Sequence, residues 1–373
     1  MRRTREHRLR QPGPTILDVA RAAGVSKSTV SNVIRGADGV AAATRERVLA
    51  TATAVGYRPN ALARNLVQRR TTTVGIVVGD LANQFYSELA KLAEQHLAAL
   101  GLATMICNTD GHPRNEREKI EMLLEHRVAG ILMLQFSGER SILSQLRAAG
   151  VAVVVVSQWD EDADCVAIDE RLGAELAVWH LLELGHRRIA YLSSDLVEQQ
   201  TDSARLDGYG RALGRAGARP DPELVRRLGQ LAYLRSDDSL RTEIRRMLTL
   251  GDPATALFAS NDLLAIDLLE TVEELGLVVP RDVSVVGFDD ILVAGLARIS
   301  LTTVVQPREE LARIGIELLL ERIDAGAEKA PLQCLLPPSL VVRGSTGPPP
   351  TWRGRRRRPA PRRLSSPNAP SPR

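Results

Sequence analysis

Between Thr15 and Gly36 the chain reads TILDVARAAGVSKSTVSNVIRG, and the second half of this stretch carries side chains able to read DNA bases. At about 100° per residue, Lys27, Ser31, Ser28, Asn32 and Thr29 form one continuous polar arc of a helix, with Val33, Val30 and Ile34 on the opposite arc. A helix fits the major groove, where Asn bonds adenine N6 and N7, Lys reaches guanine O6 and N7, and small hydroxyls hold phosphates. An ordinary solvated helix face has the same pattern, so the surrounding chain must decide.

The elements that would position this arc are legible. A first helix turns Ile16, Val19 and Ala20 inward, Gly24 supplies permissive turn backbone, and Ser26 accepts from the orphan amides of the second helix. A third helix is expected over Thr44 to Val55, with Val48 and Leu49 on its inner face and Gly56 as its terminator. Tyr57-Arg58-Pro59-Asn60 then breaks the chain, and Asn60 can cap a short segment, ALARNLVQ. A lone helix this short is marginal in water, so such a hinge should order only against DNA or a second subunit.

Charge is distributed to match. Residues 1–73 hold 14 Lys and Arg against 4 Asp and Glu, residues 74–350 hold 27 against 41, and the last 23 residues hold 8 Arg and no acid. A basic end on an acidic body suits a phosphate-neutralising head joined to a domain that stays off the DNA.

A chain of 373 residues, 44% hydrophobic, exceeds one small domain and can bury a sizeable core. Its longest apolar candidate, Ala148 to Val156, falls far short of the roughly 18 residues of a membrane span, and the N-terminus lacks an apolar signal-peptide core. A cytoplasmic protein without a membrane partner is expected. Cys107, Cys165 and Cys334 are widely spaced in apolar surroundings, as buried free thiols would be, and the six histidines show no ligand spacing. No metal and no cofactor are expected.

Catalytic signatures are equally scarce. Neither Gly-x-Ser-x-Gly nor Gly-x-x-x-x-Gly-Lys occurs, and Gly208, Gly210 and Gly214 miss the dinucleotide spacing by one while lying on an expected helix. Asp289 and Asp290 are adjacent, but neighbours on a strand end point oppositely, which fits binding better than acid/base work. The acidic loop WDEDAD lacks the glycine and terminal glutamate of a calcium loop, although its Trp159 offers a surface on which a sugar ring could stack.

From Val74 short apolar runs alternate with amphipathic stretches: VGIVV, then Ser87 to Ala99; ATMIC, then Asn115 to His126; GILML, then Ser141 to Ala149; then VAVVVVS. A second series follows Gly185, with RIAYLS, Ser203 to Ala216, a strand around Leu228, Leu240 to Leu250, ALFAS, Asp262 to Leu275 and VSVVGFD. The expected fold is therefore α/β: a small all-α helix-turn-helix head plus a core of two doubly wound parallel-sheet lobes. Ligand crevices lie at strand ends in such sheets, where the polar residues are Asp80, Asn83, Asn261, Asp289 and Asp290.

The head, the YRPNALARNL segment, SND at 260–262 and VVGFDD at 285–290 resemble the LacI/GalR family of bacterial transcriptional regulators, with GHRRIAYL, RLDGY and LVVRGST in support. The resemblance covers about residues 15–346. It implies a periplasmic-binding-protein-like core whose lobes exchange the chain three times, expected near Gly185, Leu301 and Leu332. The domains expected are a basic extension (1–14), the head (15–59), a hinge helix and linker (60–73), the core (74–346) and a disordered Arg/Pro-rich tail (347–373). Within the core, one lobe would take about 74–184 and 301–331, and the other about 185–300 and 332–346.

Residue by residue, the resemblance implies base reading by Lys27, Ser28 and Asn32. Phosphate contact or capping falls to Ser26, Thr29, Ser31 and Asn60. Leu66, flanked by Ala63 and Arg64, matches a leucine that two subunits wedge into the minor groove. For the effector it implies Asn83, Phe85 and Tyr86 on a first-lobe lip, with Gln84 standing where proline is common. Asp169, Arg205, Asn261 and Asp289 complete the set, offering the mixed donors and acceptors that a sugar needs.

The function expected is a sequence-specific regulator: a homodimer on double-stranded, palindromic operator DNA, released by a sugar-like effector. A corepressor-activated regulator of the same fold is the alternative, and a sensor or enzyme on the binding-protein fold belongs to a different class. A transport-type solute-binding protein would share the body but carry no helix-turn-helix.

Overall fold

A computed structural model describes residues 14–34, 37–57, 71–193, 199–228, 239–325 and 330–350. Nearly all of the basic extension, the hinge with Asn60, Ala63 and Leu66, and the tail beyond residue 350 lie outside the described residues. The chain forms two compact units that divide between Thr72 and Thr73.

The first unit holds α1 (Ile16–Ala23), α2 (Lys27–Ile34) and α3 (Ala42–Ala54). Val19, Ala20, Ala23, Val30, Val33 and Val48 make its core, with Ile16 and Ile34 packed against them. Gly24 has φ 66° and ends α1, the left-handed conformation that a residue without Cβ adopts freely. Thr15 donates to Asp18 from its amide (2.8 Å) and its hydroxyl (2.7 Å), which fixes the start of α1 and holds the Asp18 carboxyl below its usual range. One expectation fails here. Leu49 is 48% exposed, because a step of 100° beyond Val48 leaves the narrow stripe that α3 buries.

The second unit contains two six-stranded sheets. The first-lobe sheet uses β1 (Thr73–Val78), β2 (Ala103–Asn108), β3 (Gly130–Met133), β4 (Ala152–Val156), β5 (Asp164–Ile168) and β11 (Gln333–Leu336), in the order β11-β5-β4-β3-β1-β2. All its pairings are parallel. The second-lobe sheet uses β6 (Ile189–Ser193), β7 (Val225–Arg227), β8 (Ala256–Ala259), β9 (Ser284–Asp289), β10 (Thr302–Val305) and β12 (Ser339–Val341), in the order β12-β10-β9-β8-β6-β7. Among the described residues only β12 there runs antiparallel.

Helices α4 (Gln84–Ala99), α5 (Pro113–Glu125), α6 (Arg140–Ala148) and α11 (Arg308–Ala325) pack on the first sheet. The second lobe carries α7 (Glu170–Glu183), α8 (Gln199–Arg215), α9 (Ser239–Leu248) and α10 (Asp262–Glu274). The first sheet buries both faces, as a parallel sheet must: Val74, Ile76 and Val78 join one apolar cluster, while Val77 joins another with Ile131 and Met133. Cys107 and Cys165 are buried free thiols, and burial pushes Cys165 up to about 11. Cys334 is free but only half-buried.

The three lobe crossings fall elsewhere than at Gly185, Leu301 and Leu332. They follow β5, β10 and β11. Helix α7, directly after β5, packs on α8, β8, β10 and β12 of the second lobe. Strand β10 pairs with β9, so residues 302–305 belong to the second lobe, and β11 pairs with β5, so residues 333–336 belong to the first. The missed strands are only three to five residues long, too short for an apolar period to register against the loops around them.

Candidate DNA-reading helix and effector cleft

In the head, the side chain of Ser26 performs the expected cap. Its Oγ accepts from the Thr29 amide at 3.1 Å and lies 2.7 Å from Ser28 Oγ and 2.8 Å from Thr29 Oγ1. Because Val30 and Val33 anchor α2 to the core, the opposite arc faces outward: Ser26, Lys27 and Ser28 are exposed, and Thr29, Ser31 and Asn32 are half-buried. A short helix with three hydroxyls, one ammonium and one amide along a single arc can hydrogen-bond both base edges and phosphates.

The other site gathers at the carboxyl ends of the second-lobe strands. Arg205, on α8, is 6% exposed; its Nε donates to Glu170 Oε2 at 2.7 Å, its Nη1 donates to the Ser260 carbonyl, and its guanidinium carbon sits 3.9 Å over the Phe288 ring. Burial pushes the Glu170 carboxyl up, and Arg205 opposes that rise. Asn261 caps α10, its Oδ1 accepting from the Leu264 amide at 2.9 Å. Asp289 Oδ1 accepts from Gln306 Nε2 at 2.7 Å, with the Asp289 backbone at φ 119°. Arg205, Asn261 and Asp289 are thus brought together around β8 and β9, which are neighbours in the sheet.

Asp169 stands at the first crossing, next in sequence to the Glu170 that receives Arg205, and its Oδ1 caps α7 through the Leu172 amide at 3.0 Å; it lines a cavity that Arg205, Asn261 and Asp289 do not. A cavity of about 550 Å³ opens beside it, lined by Trp159, Asp169, Glu170, Thr201, Asp207 and Leu335 among others. Residues from β11 of the first lobe and α8 of the second therefore share one wall. Trp159, 36% exposed, contributes an aromatic surface to it.

The first-lobe lip departs from expectation. Asn83 caps α4 by accepting from the Phe85 amide at 3.0 Å. Phe85 and Tyr86 are buried in the apolar core, their rings edge-on at 5.1 Å, and present packing surface instead of an open lip. Gln84, the residue in the place of a proline, has its Oε1 3.4 Å from the amide of Val293 in the second lobe. Arg308, the first residue of α11, bridges the lobes as well: its Nε lies 3.2 Å from Glu88 on α4 and its Nη1 donates to the Asp289 carbonyl at 2.6 Å.

Glu170, Gln306 and Arg308 belong to no motif of the sequence, and Ser260 enters only as the first residue of SND at 260–262. Gln306-Pro307 after the apolar LTTVV is a strand-end signal that could have marked two of them. The three aspartates of WDEDAD are taken by arginines, Asp160 and Asp162 by Arg140 and Asp164 by Arg322. Among the described residues no group of three or more His, Cys, Asp or Glu is placed to hold a metal, and no helix is long and apolar enough to cross a membrane. His186 is buried and bonded to Thr255, Ser284 and the Gly347 carbonyl.

A helix-turn-helix head in one unit and a two-lobed, ligand-cleft body in the other define a ligand-responsive DNA-binding regulator. Residues 15–60 match the model of bacterial regulatory proteins of the lacI family, and residues 178–346 that of a periplasmic binding protein-like domain. The HTH-type transcriptional regulator DegA of Bacillus subtilis is 35% identical over 342 residues, 90% of this chain and 98% of that one. The ribose operon repressor of Escherichia coli K12 is 34% identical over 336 residues, 89% and 99% of the two chains. The lac repressor dimer bound to operator and the anti-inducer ONPF matches with a TM-score of 0.77 at 28% identity, covering 90% of this chain and all of that one. The chain belongs to the lacI family and is a sequence-specific DNA-binding transcriptional regulator.

Proposed function

We propose that the chain is a repressor that binds a palindromic operator as a homodimer in the cytoplasm and is released by a sugar-like effector, without catalysis, metal or cofactor. Lys27, Ser28 and Asn32 read bases, and Ser26, Thr29 and Ser31 hold phosphates. Asn60, Ala63 and Leu66 contact DNA in the minor groove. The effector lies against Asp169, Arg205, Asn261 and Asp289, with Asn83 on the first-lobe side.

The observation that carries this reading is the tie from Asp289 through Arg308 to Glu88. A ligand bound at the strand ends thereby acts on both lobes at once. Movement between the lobes changes the spacing of the two hinges, and a hinge helix without its packing partner unfolds. The names of the relatives support both halves of the reading, since one is a ribose operon repressor and another was solved on operator with a small anti-inducer.

The test is selection of the purified protein on a randomised double-stranded DNA pool, with enriched sequences retested against neutral sugars and nucleobases. Enrichment of a palindrome that one compound weakens is expected. Strengthening by the compound would replace the repressor reading with a corepressor one, and no enrichment at moderate salt would remove the homodimer-on-palindrome reading.

A further inference from the structure

Three buried side-chain oxygens have no hydrogen-bond partner among the described residues: Glu170 Oε1, Ser260 Oγ and Gln306 Oε1. They are not scattered. Glu170 and the Ser260 carbonyl both receive Arg205, and Arg205 lies over Phe288, the neighbour of Asp289, whose carboxylate holds Gln306. Ser260 and Gln306 directly follow β8 and β10, which flank β9 in the sheet. An unpaired buried oxygen is costly, so native proteins rarely keep one without a reason, and two at neighbouring strand ends with a third at the helix start joined to them by Arg205 point to a missing partner.

We propose that Glu170, Ser260 and Gln306 form an acceptor wall that selects an uncharged effector rich in hydroxyl donors, with Arg205, itself against the effector, also aiming Glu170. This rests on reading the cleft as the effector site. A carboxylate and an amide oxygen only accept, so the ligand must bring donors to Glu170 and Gln306, while the Ser260 hydroxyl serves in either sense. Asp169 and Asp289 add two more acceptors. Beside the wall Arg205 is matched to Glu170 and Arg308 to Glu88, while Arg171 and Arg211 share Asp207 farther along the cavity, so at the wall itself a phosphate ester meets carboxylates without a compensating charge. Glu170 lines the cavity; Ser260 and Gln306 stand behind it, Ser260 through the Arg205 that Glu170 holds and Gln306 through Asp289.

The test is calorimetric titration of the intact chain with D-ribose, D-glucose and cellobiose, with ribose 5-phosphate and glucose 6-phosphate, and with hypoxanthine. A neutral sugar is expected to bind, at least about tenfold more tightly than a phosphate ester of the same sugar. Glu170→Gln should weaken that sugar roughly tenfold to a hundredfold and narrow the sugar-to-ester ratio, a change in selectivity that a purely structural role would not produce. Ser260→Ala keeps the carbonyl that receives Arg205 and should weaken the sugar by a smaller factor, so it carries the test if Glu170→Gln fails to melt cooperatively.

Unchanged affinity and ratio in both variants would overturn the acceptor wall, as would tighter binding of an ester or of hypoxanthine. If Asp289→Ala then abolishes that tighter binding, the effector cleft stands and the wall alone falls. If no compound binds the unaltered chain, both fall.

Discussion

Arg308 donates to the backbone carbonyl of Asp289 at 2.6 Å, from a helix that packs on the opposite lobe. Its Nε also meets Glu88, so one guanidinium holds the strand end of the effector site and the first-lobe helix α4 together. Linkage between ligand and DNA in such regulators is worth about 1–3 kcal/mol, or roughly 5- to 150-fold in affinity. Arg308→Met should pull the ratio of operator affinities with and without saturating effector toward one, measured by fluorescence anisotropy. An unaltered ratio would take Arg308 out of the coupling path.

Base reading by α2 has its own signature. Asn32→Ala and Lys27→Ala should each reduce discrimination between the selected operator and single-base variants by about 1–3 kcal/mol. Ser31→Ala, the loss of a phosphate contact, should instead weaken all sequences alike. Equal losses on every sequence from Asn32→Ala would assign that residue to the backbone.

Gly208 and Gly214 occupy the same helix but differ in what a methyl group would meet. A Cβ at Gly208 would stand 2.2 Å from the Arg171 carbonyl oxygen, whereas at Gly214 it would meet nothing within 4 Å. Gly208→Ala should therefore push α7 and α8 apart and destabilise the body by several kcal/mol. Gly214→Ala should raise stability by about 0.5–1 kcal/mol through helix propensity alone. Urea denaturation of the two variants checks the contrast. The glycine trio that approaches a dinucleotide fingerprint thus owes its first member to helix packing.

Asp262 is fully buried; its Oδ1 accepts from Thr303 Oγ1 at 2.5 Å and its Oδ2 from the Ile291 amide at 2.9 Å. Burial pushes its carboxyl from 3.8 to about 7 against those two bonds. Over that interval the folded state keeps a proton that the unfolded chain has released, so the stability owed to this group falls as pH rises from about 4 to about 7. Asp262→Asn should flatten that part of the profile in urea melts at pH 5 and pH 7.5. A slope identical to that of the unaltered chain would show that Asp262 titrates normally.

Local signals made the head legible. Gly24 and Ser26 act within a few residues of themselves, and the turn and cap they form need no tertiary partner. Leu49 is not legible in the same way, because the sequence does not say how wide a stripe α3 buries. In the body, long apolar runs such as VGIVV and VSVVGFD declared their strands, while QCLL and SLV were too short to do so. Asp169, Arg205, Asn261 and Asp289 were reachable through a family resemblance. Glu170 and Gln306 were not, since their importance lies in an unpaired oxygen apiece, a property of packing that no spacing along the chain encodes.

The three crossings also bear on how mutations in the gene would behave. Neither lobe is a contiguous coding segment, so a premature stop anywhere between the head and residue 333 deprives both sheets of strands. The reading head, ending before residue 60, is encoded ahead of all of them. Nonsense alleles across most of the gene should then converge on one phenotype, a translated head with no body able to answer a ligand, whatever the codon at which translation ends.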